Sequence, residues 1–90
     1  MSSCQRTITV SNRRGLHARA SAKFVNMVHE LPASVEVEKD GNRVTGTSIM
    51  GLMMLGAAMG DSIIIHCSGE DCESALEQLT ALVEGKFGEE

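Results

Sequence analysis

The 90-residue chain carries 8 basic and 12 acidic side chains, a net charge of −4, and neither Trp nor Tyr. That is room for one domain, spanning residues 1–90, with a core able to fold unaided but too small to enclose a large substrate, so function is expected on the surface. The acidic balance and scarcity of aromatic rings exclude a general nucleic-acid binder, and no run reads as a membrane span or a secretory signal, which points to a soluble, cytoplasmic protein.

Thr7 to Val10 (TITV) reads as the first strand, stopped by the turn-forming run Ser11-Asn12-Arg13-Arg14-Gly15. Leu16 and His17 follow in a loop. From Ala18 the spacing turns helical, with Phe24, Val25, Val28 and Leu31 on one apolar stripe, and Pro32 ends this helix near Glu30. Ser34 to Glu38 alternates valine with glutamate, the pattern of a half-buried strand with one wet face. Asp40-Gly41 signals a tight hairpin, because a primed turn needs positive φ at both central residues, and Arg43 to Thr45 forms the returning strand.

Ser48 is placed to cap a short second helix from Ile49 to about Met54, followed by a glycine-rich connection from Leu55 to Asp61. Ser62 to Cys67 is the fourth strand. Asp71 opens the last helix, where Ala75, Leu76, Leu79, Leu82 and Val83 repeat at helical spacing and Gly85 and Gly88 mark a frayed end. The order β-α-β-β-α-β-α predicts a two-layer α+β domain, a sheet of four strands with all three helices on one face.

Cys4, Cys67 and Cys72 are odd in number and lack a CxxC spacing, so they read as reduced thiols rather than a disulfide framework or a zinc site. His66 and Cys67 are neighbours on a strand and point to opposite faces, which argues against a metal pair. Neither a metal nor a cofactor is implied.

Charge is distributed unevenly. No acidic residue precedes Glu30, whereas Arg6, Arg13, Arg14, Arg19 and Lys23 all fall in that first stretch, so one end of the molecule should attract anions. His17 lies within it, at a turn–helix junction where free N–H groups and the helix dipole favour an anion. The surrounding cations disfavour the imidazolium, leaving a neutral and nucleophilic ring, and Arg19 is near enough for its guanidinium to reach phosphoryl oxygens on His17. From geometry alone, a helix-capping or exposed histidine accounts for His17 equally well.

Four of the six methionines, Met50, Met53, Met54 and Met59, lie close together with Ile49, Leu52 and Leu55. A two-turn helix buries only one stripe. If Leu52 and Leu55 face inward, Ile49, Met50 and Met53 are expected at the surface as a contact for partners, while Met54 and Met59 are expected to fill the core. His29 reads as a surface residue.

The stretch Gly15-Leu16-His17-Ala18-Arg19-Ala20-Ser21-Ala22-Lys23-Phe24-Val25 closely resembles the active-site signature of the HPr family, the histidine-containing phosphocarriers of the bacterial phosphotransferase system. Thr47-Ser48-Ile49-Met50-Gly51-Leu52-Met53-Met54-Leu55-Gly56 resembles the same family's regulatory-serine segment, and the similarity extends from about Arg6 to Val83. The resemblance implies an open-faced β-sandwich, phosphate on Nδ1 of His17, assistance by Arg19, and Ser48 as the target of a dedicated kinase in some bacteria. It also implies a monomer that meets Enzyme I as donor, IIA-type proteins as acceptors and an HPr kinase/phosphorylase, through Ile49, Met50, Met53, Ala20 and Lys23. Such a chain is a carrier in a relay rather than an enzyme.

Ala20 stands where the family usually has Pro, which forgoes about 0.4–1 kcal/mol of stabilisation acting through the unfolded chain. Two other readings stay open at this stage. One is the family's nitrogen-related branch, with the same chemistry and regulatory acceptors; the other is a binding-only regulator that uses Ser48 and the methionine patch. A stand-alone phosphatase or acyl-transfer enzyme is disfavoured, since no catalytic carboxylate is evident beside His17.

Overall fold

The computed structural model describes residues 2–89. Its elements are β1 (Ser3–Thr9), α1 (Ala18–His29), β2 (Ser34–Lys39), β3 (Asn42–Thr45), α2 (Ile49–Met54), β4 (Ser62–Ser68) and α3 (Cys72–Glu84). The strands form one antiparallel sheet in the order β1-β4-β2-β3, and the helices pack on a single face of it, as the element order predicts. β1 begins earlier than its TITV segment because Ser3, Cys4 and Gln5 pair with Ser68, Cys67 and His66 of β4. Partner strands, not local β-propensity, extend it.

The core lies between sheet and helices. Ile8, Val35, Val37, Ile63 and Ile65 project from the strands, and Phe24, Val25, Val28, Leu76, Leu79 and Val83 meet them from α1 and α3. The opposite face of the sheet is polar, carrying the cross-strand pairs Arg43 Nε to Glu36 Oε1 at 2.7 Å and His66 Nε2 with Glu38 Oε1 at 2.8 Å. His66 therefore faces away from the buried Cys67, as strand alternation requires. The β2–β3 turn has φ of 51° at Asp40 and 84° at Gly41, the left-handed pair a primed hairpin needs.

Two details at α3 depart from the sequence reading. Asp71 does occupy the position before the first helical residue, but with φ 56° and no side-chain cap bond, so its carboxylate does not close the helix end. Beyond Glu84 the chain does not fray: it turns tightly over Lys86–Gly88 and buries Phe87 to 1% exposure. Lys86 and Phe87 both take left-handed φ, 59° and 57°, which costs roughly 1–2 kcal/mol each for an L side chain. Burial of the Phe87 ring, about 1.5–3 kcal/mol, opposes that cost, together with a 2.7 Å bond from Lys23 Nζ to the Phe87 carbonyl.

The connection from β1 to α1 is held by the loop that follows α2. Val10 N–H donates to Asp61 O at 2.8 Å, Gly60 N–H to Val10 O at 2.8 Å, and Leu16 N–H to Ala57 O at 3.0 Å. Gly15 permits the last of these. Its φ is +62°, and a Cβ there would lie 2.2 Å from the Ala57 carbonyl oxygen. Gly15→Ala is therefore expected to destabilise the domain by more than about 1 kcal/mol, and an unchanged urea midpoint would show that the turn can move aside.

The three cysteines are free thiols gathered at one end of the helix-covered face, Cys4 opposite Cys67 across β1 and β4 and Cys72 at the start of α3. Burial pushes Cys4 up to about 11, with the hydrogen-bonded Cys72 thiol adding to the rise, and burial pushes Cys67 up to about 11 as well. Both thiols stay protonated at neutral pH. At pH 8 the native protein should therefore label with iodoacetamide at Cys4 and Cys67 at least about tenfold more slowly than after unfolding in guanidinium. Mass spectrometry of the peptides checks this, and equal rates in the two states would contradict it.

Candidate functional site

His17 is the N-cap residue of α1. Its backbone is extended, with φ −74° and ψ −178°, its carbonyl accepts the first intrahelical bond from Ser21 N–H at 2.9 Å, and its Nδ1 accepts from Arg19 N–H at 3.3 Å. The ring thus does what a Ser or Asp oxygen does at most helix starts. Because a backbone N–H can only donate, Nδ1 carries the lone pair and the ring proton sits on Nε2. Ser21 Oγ, donating to Leu16 O at 3.1 Å, ties the turn to the helix from below.

On its other edge the ring meets a carboxylate. His17 Nε2–H donates to Glu89 Oε2 at 2.5 Å, and Asn12 Nδ2 donates to Glu89 Oε1 at 3.2 Å. Asn12 is 1% exposed and also donates to Gly15 O at 2.8 Å. Both of its bonds are to acceptors, which points its amide nitrogen at the site and leaves Asn12 Oδ1 buried without a partner. The hydrogen bond from His17, foremost, and that from Asn12 hold the Glu89 carboxyl below the usual carboxylate range, against the opposing effect of desolvation.

Sequence reasoning missed Glu89 and saw no carboxylate beside His17; the structure corrects this. The two residues are 72 apart in sequence, and only the docking of the turn at Lys86–Gly88 joins them. One signal was present. Phe87, one of only two aromatic residues, follows a helix stop and so marked a tail that folds back.

His17 opens into a depression of about 570 Å³ whose charged lining is Arg13, Arg14, Arg19, Lys23, Lys86 and Glu89. The basic cluster is therefore real in space as well as in sequence, and Lys86 joins it from the far end of the chain. Arg19 is exposed, and Lys23 is exposed with its Nζ on the Phe87 carbonyl. Among the described residues, no three His, Cys, Asp or Glu side chains converge to hold a metal ion, and no helix is long and apolar enough to cross a membrane.

Ala20, expected to touch partners, is fully buried. It lies four residues before Phe24 and eight before Val28, on the stripe that α1 turns to the core, so it has no surface to offer. Ser48 caps α2, accepting from Gly51 N–H at 2.9 Å, as its position before Ile49 predicts. Leu52 is buried, while Ile49, Met50 and Met53 are 39%, 68% and 40% exposed. Met54 and Met59, expected inside, are also outside, at 80% and 58%. With only six residues, α2 shows one narrow stripe to the core, and Met54 lies off it. Met59 lines the His17 depression, so the apolar surface reaches the site.

A family model described as "PTS HPr component phosphorylation site" matches residues 4–85. The phosphocarrier protein HPr of Neisseria meningitidis serogroup A is 46% identical over 85 residues, covering 94% of this chain and 96% of the relative. The phosphocarrier protein NPr of Shewanella violacea is 35% identical over 89 residues, covering 99% and 98%. In structure, an HPr from Thermoanaerobacter tengcongensis superposes with a TM-score of 0.91 at 41% identity, covering 97% of this chain and 98% of the other. The histidine at the head of α1, the antiparallel sheet with its helices on one face, and likeness over nearly the whole length agree: the chain belongs to the HPr family of phosphotransferase-system phosphocarriers.

Proposed function

We propose that the chain accepts a phosphoryl group on His17 Nδ1 from a phosphohistidine of Enzyme I and passes it to a histidine of a IIA-type protein. The observation that carries this reading is the orientation of the His17 ring. Its Nδ1 lone pair faces the amino end of α1, and His17 shares a depression with Arg13, Arg14, Arg19, Lys23, Lys86 and Glu89. A phosphoryl group there meets the amides of the helix end, Arg19 N–H among them, and fixed positive charge. Donor, carrier and acceptor all hold phosphoramidates of similar energy, so transfer needs alignment and charge neutralisation more than chemical driving force. Arg19 supplies the neutralising guanidinium. The chain acts as a cytoplasmic monomer and needs no metal of its own.

Ile49, Met50 and Met53, extended by Met54 and Met59, form the docking surface, with Lys23 at its basic border and Ser48 as the regulatory phosphorylation site. Unbranched methionines repack readily against different partners, which suits a carrier that meets a donor and several acceptors in turn. The nitrogen-related branch is the second reading, supported by a 35% identity to NPr that spans 99% of this chain. It keeps the His17 chemistry and changes the acceptor; transfer assays with a sugar IIA protein and a nitrogen-related IIA protein side by side separate the two.

His17→Ala is expected to abolish labelling by phosphoenolpyruvate and Enzyme I and, because it removes the N-cap of α1, to lower the melting temperature by about 4–8 °C. Arg19→Ala is expected to slow labelling roughly 10²-fold with the melting temperature nearly unchanged. Rapid-quench labelling measures the rates. Wild-type labelling in His17→Ala would overturn the proposal, and an unaltered rate in Arg19→Ala would remove that residue from it.

Docking is probed separately. Met53→Glu and Ser48→Asp each place negative charge where an acidic partner steered by the arginines must approach, so each should weaken Enzyme I binding by about tenfold at low salt, with a smaller change at high salt. Calorimetric affinities equal to wild type, with the fold intact, would assign these side chains to packing and capping alone.

A further inference from the structure

We infer that Glu89 is a positioning residue for phosphoryl transfer: its carboxylate keeps the proton on His17 Nε2, leaves Nδ1 as the attacking atom, and balances the positive charge the ring acquires when Nδ1 is phosphorylated. This deepens the carrier reading above and rests on it. The contact is a built one. Glu89 Oε2 accepts from His17 while Oε1 accepts from Asn12, a buried side chain itself anchored to the Gly15 carbonyl. The segment that delivers the carboxylate is held by the buried Phe87 ring and by Lys23 on the Phe87 carbonyl.

The surrounding charge gives that carboxylate its role. Arg13, Arg14 and Arg19 reach the depression from the turn and the first residues of α1, Lys23 from the next turn of α1, and Lys86 from the C-terminal segment; Glu89 is the one acid among the described residues lining it. Those cations serve a phosphoryl group and oppose a positively charged ring. A carboxylate on Nε2 relieves the second effect without occupying the place of the first, because the two nitrogens lie on different edges of the imidazole. The His17 bond also keeps Glu89 ionised at neutral pH, since it holds the carboxyl below its ordinary range.

The transfer balances without any proton leaving the ring. The Nδ1 lone pair forms the new N–P bond as the donor's N–P bond breaks and its electron pair returns to the donor imidazole. His17 is then a phosphoryl-imidazolium whose Nε2–H remains on Glu89. In the onward step the pair of the Nδ1–P bond returns to Nδ1, and a neutral imidazole departs still carrying Nε2–H. A ring that lost this proton would have to leave as an imidazolate, a far poorer leaving group.

The test compares wild type with Glu89→Gln, Glu89→Ala and, as a control for net charge, Glu84→Gln, which is exposed at the end of α3. Glu89→Gln is expected to slow transfer from phosphorylated Enzyme I about tenfold and to lower by about one pH unit the point at which the phosphorylated ring loses Nε2–H, followed by ring 15N and 31P NMR. Glu84→Gln should move neither. Identical titration and rate in Glu89→Gln and wild type would overturn the inference, as would the same change in Glu84→Gln. The unphosphorylated proteins give an independent measure. Ring 15N shifts should show a smaller share of the Nε2–H tautomer in Glu89→Ala, and an unchanged share would count against Glu89 whether or not the protein carries phosphate. If wild-type His17 takes no phosphate at all, the carrier reading fails, and this tautomer comparison still decides what Glu89 does to the ring.

Discussion

The place of His17 depends on a set of backbone hydrogen bonds between two loops. Val10 with Gly60 and Asp61, and Leu16 with Ala57, continue the β1–β4 pairing beyond the strands, so the chain enters α1 at one height and angle. Each bond contributes only about 1 kcal/mol net, but their geometry has little slack. Leu16 can reach Ala57 because residue 15 is a glycine in the left-handed region whose missing Cβ leaves room for the Ala57 carbonyl. Everything chemical at the site stands on that turn: the N-cap contact of Nδ1, the exposed Arg19 and the alignment of the ring with Glu89.

The site is closed from the far end of the chain. The segment at Lys86–Gly88 adopts two left-handed side-chain-bearing residues and stays in place because Phe87 is buried and Lys23 reaches its carbonyl. Folding energy from an aromatic ring is thereby converted into the position of a carboxylate, and the cost of backbone strain is borne away from the His17 ring. The net charge of the chain is negative, yet the surface around His17 is cationic except for Glu89. Such separation of charge steers a negatively charged surface toward one end of the molecule without demanding a basic protein.

Beside this polar centre lies an apolar surface that a longer helix would have hidden. Residues 49–54 make less than two turns, and Leu52 alone in that segment is buried. The exposed Ile49, Met50, Met53 and Met54 form an unusually apolar area for a small domain, and Met59 carries apolar surface to the His17 depression. A carrier has to release each partner after transfer, so a surface that repacks easily is better suited to it than one shaped tightly to a single partner.

How much of this was legible in the sequence follows from the range of each interaction. Alternation in residues 34–38, the Asp40-Gly41 turn, the Ser48 cap and the helical stripes of α1 and α3 are set by neighbours within a few residues, and the structure reproduces them. The His17–Arg19 cluster was likewise visible, since its members share one turn of chain. What tertiary structure alone decided is which of several permitted faces becomes interior. Ala20 is buried because α1 turns that edge to the core, Met54 and Met59 are exposed because α2 is too short to cover them, and β1 lengthens because β4 is there to pair with it. Glu89 is the extreme case: it meets His17 across 72 residues, and its position comes from where Phe87 finds room in the core, a fact of three-dimensional packing that no local pattern encodes.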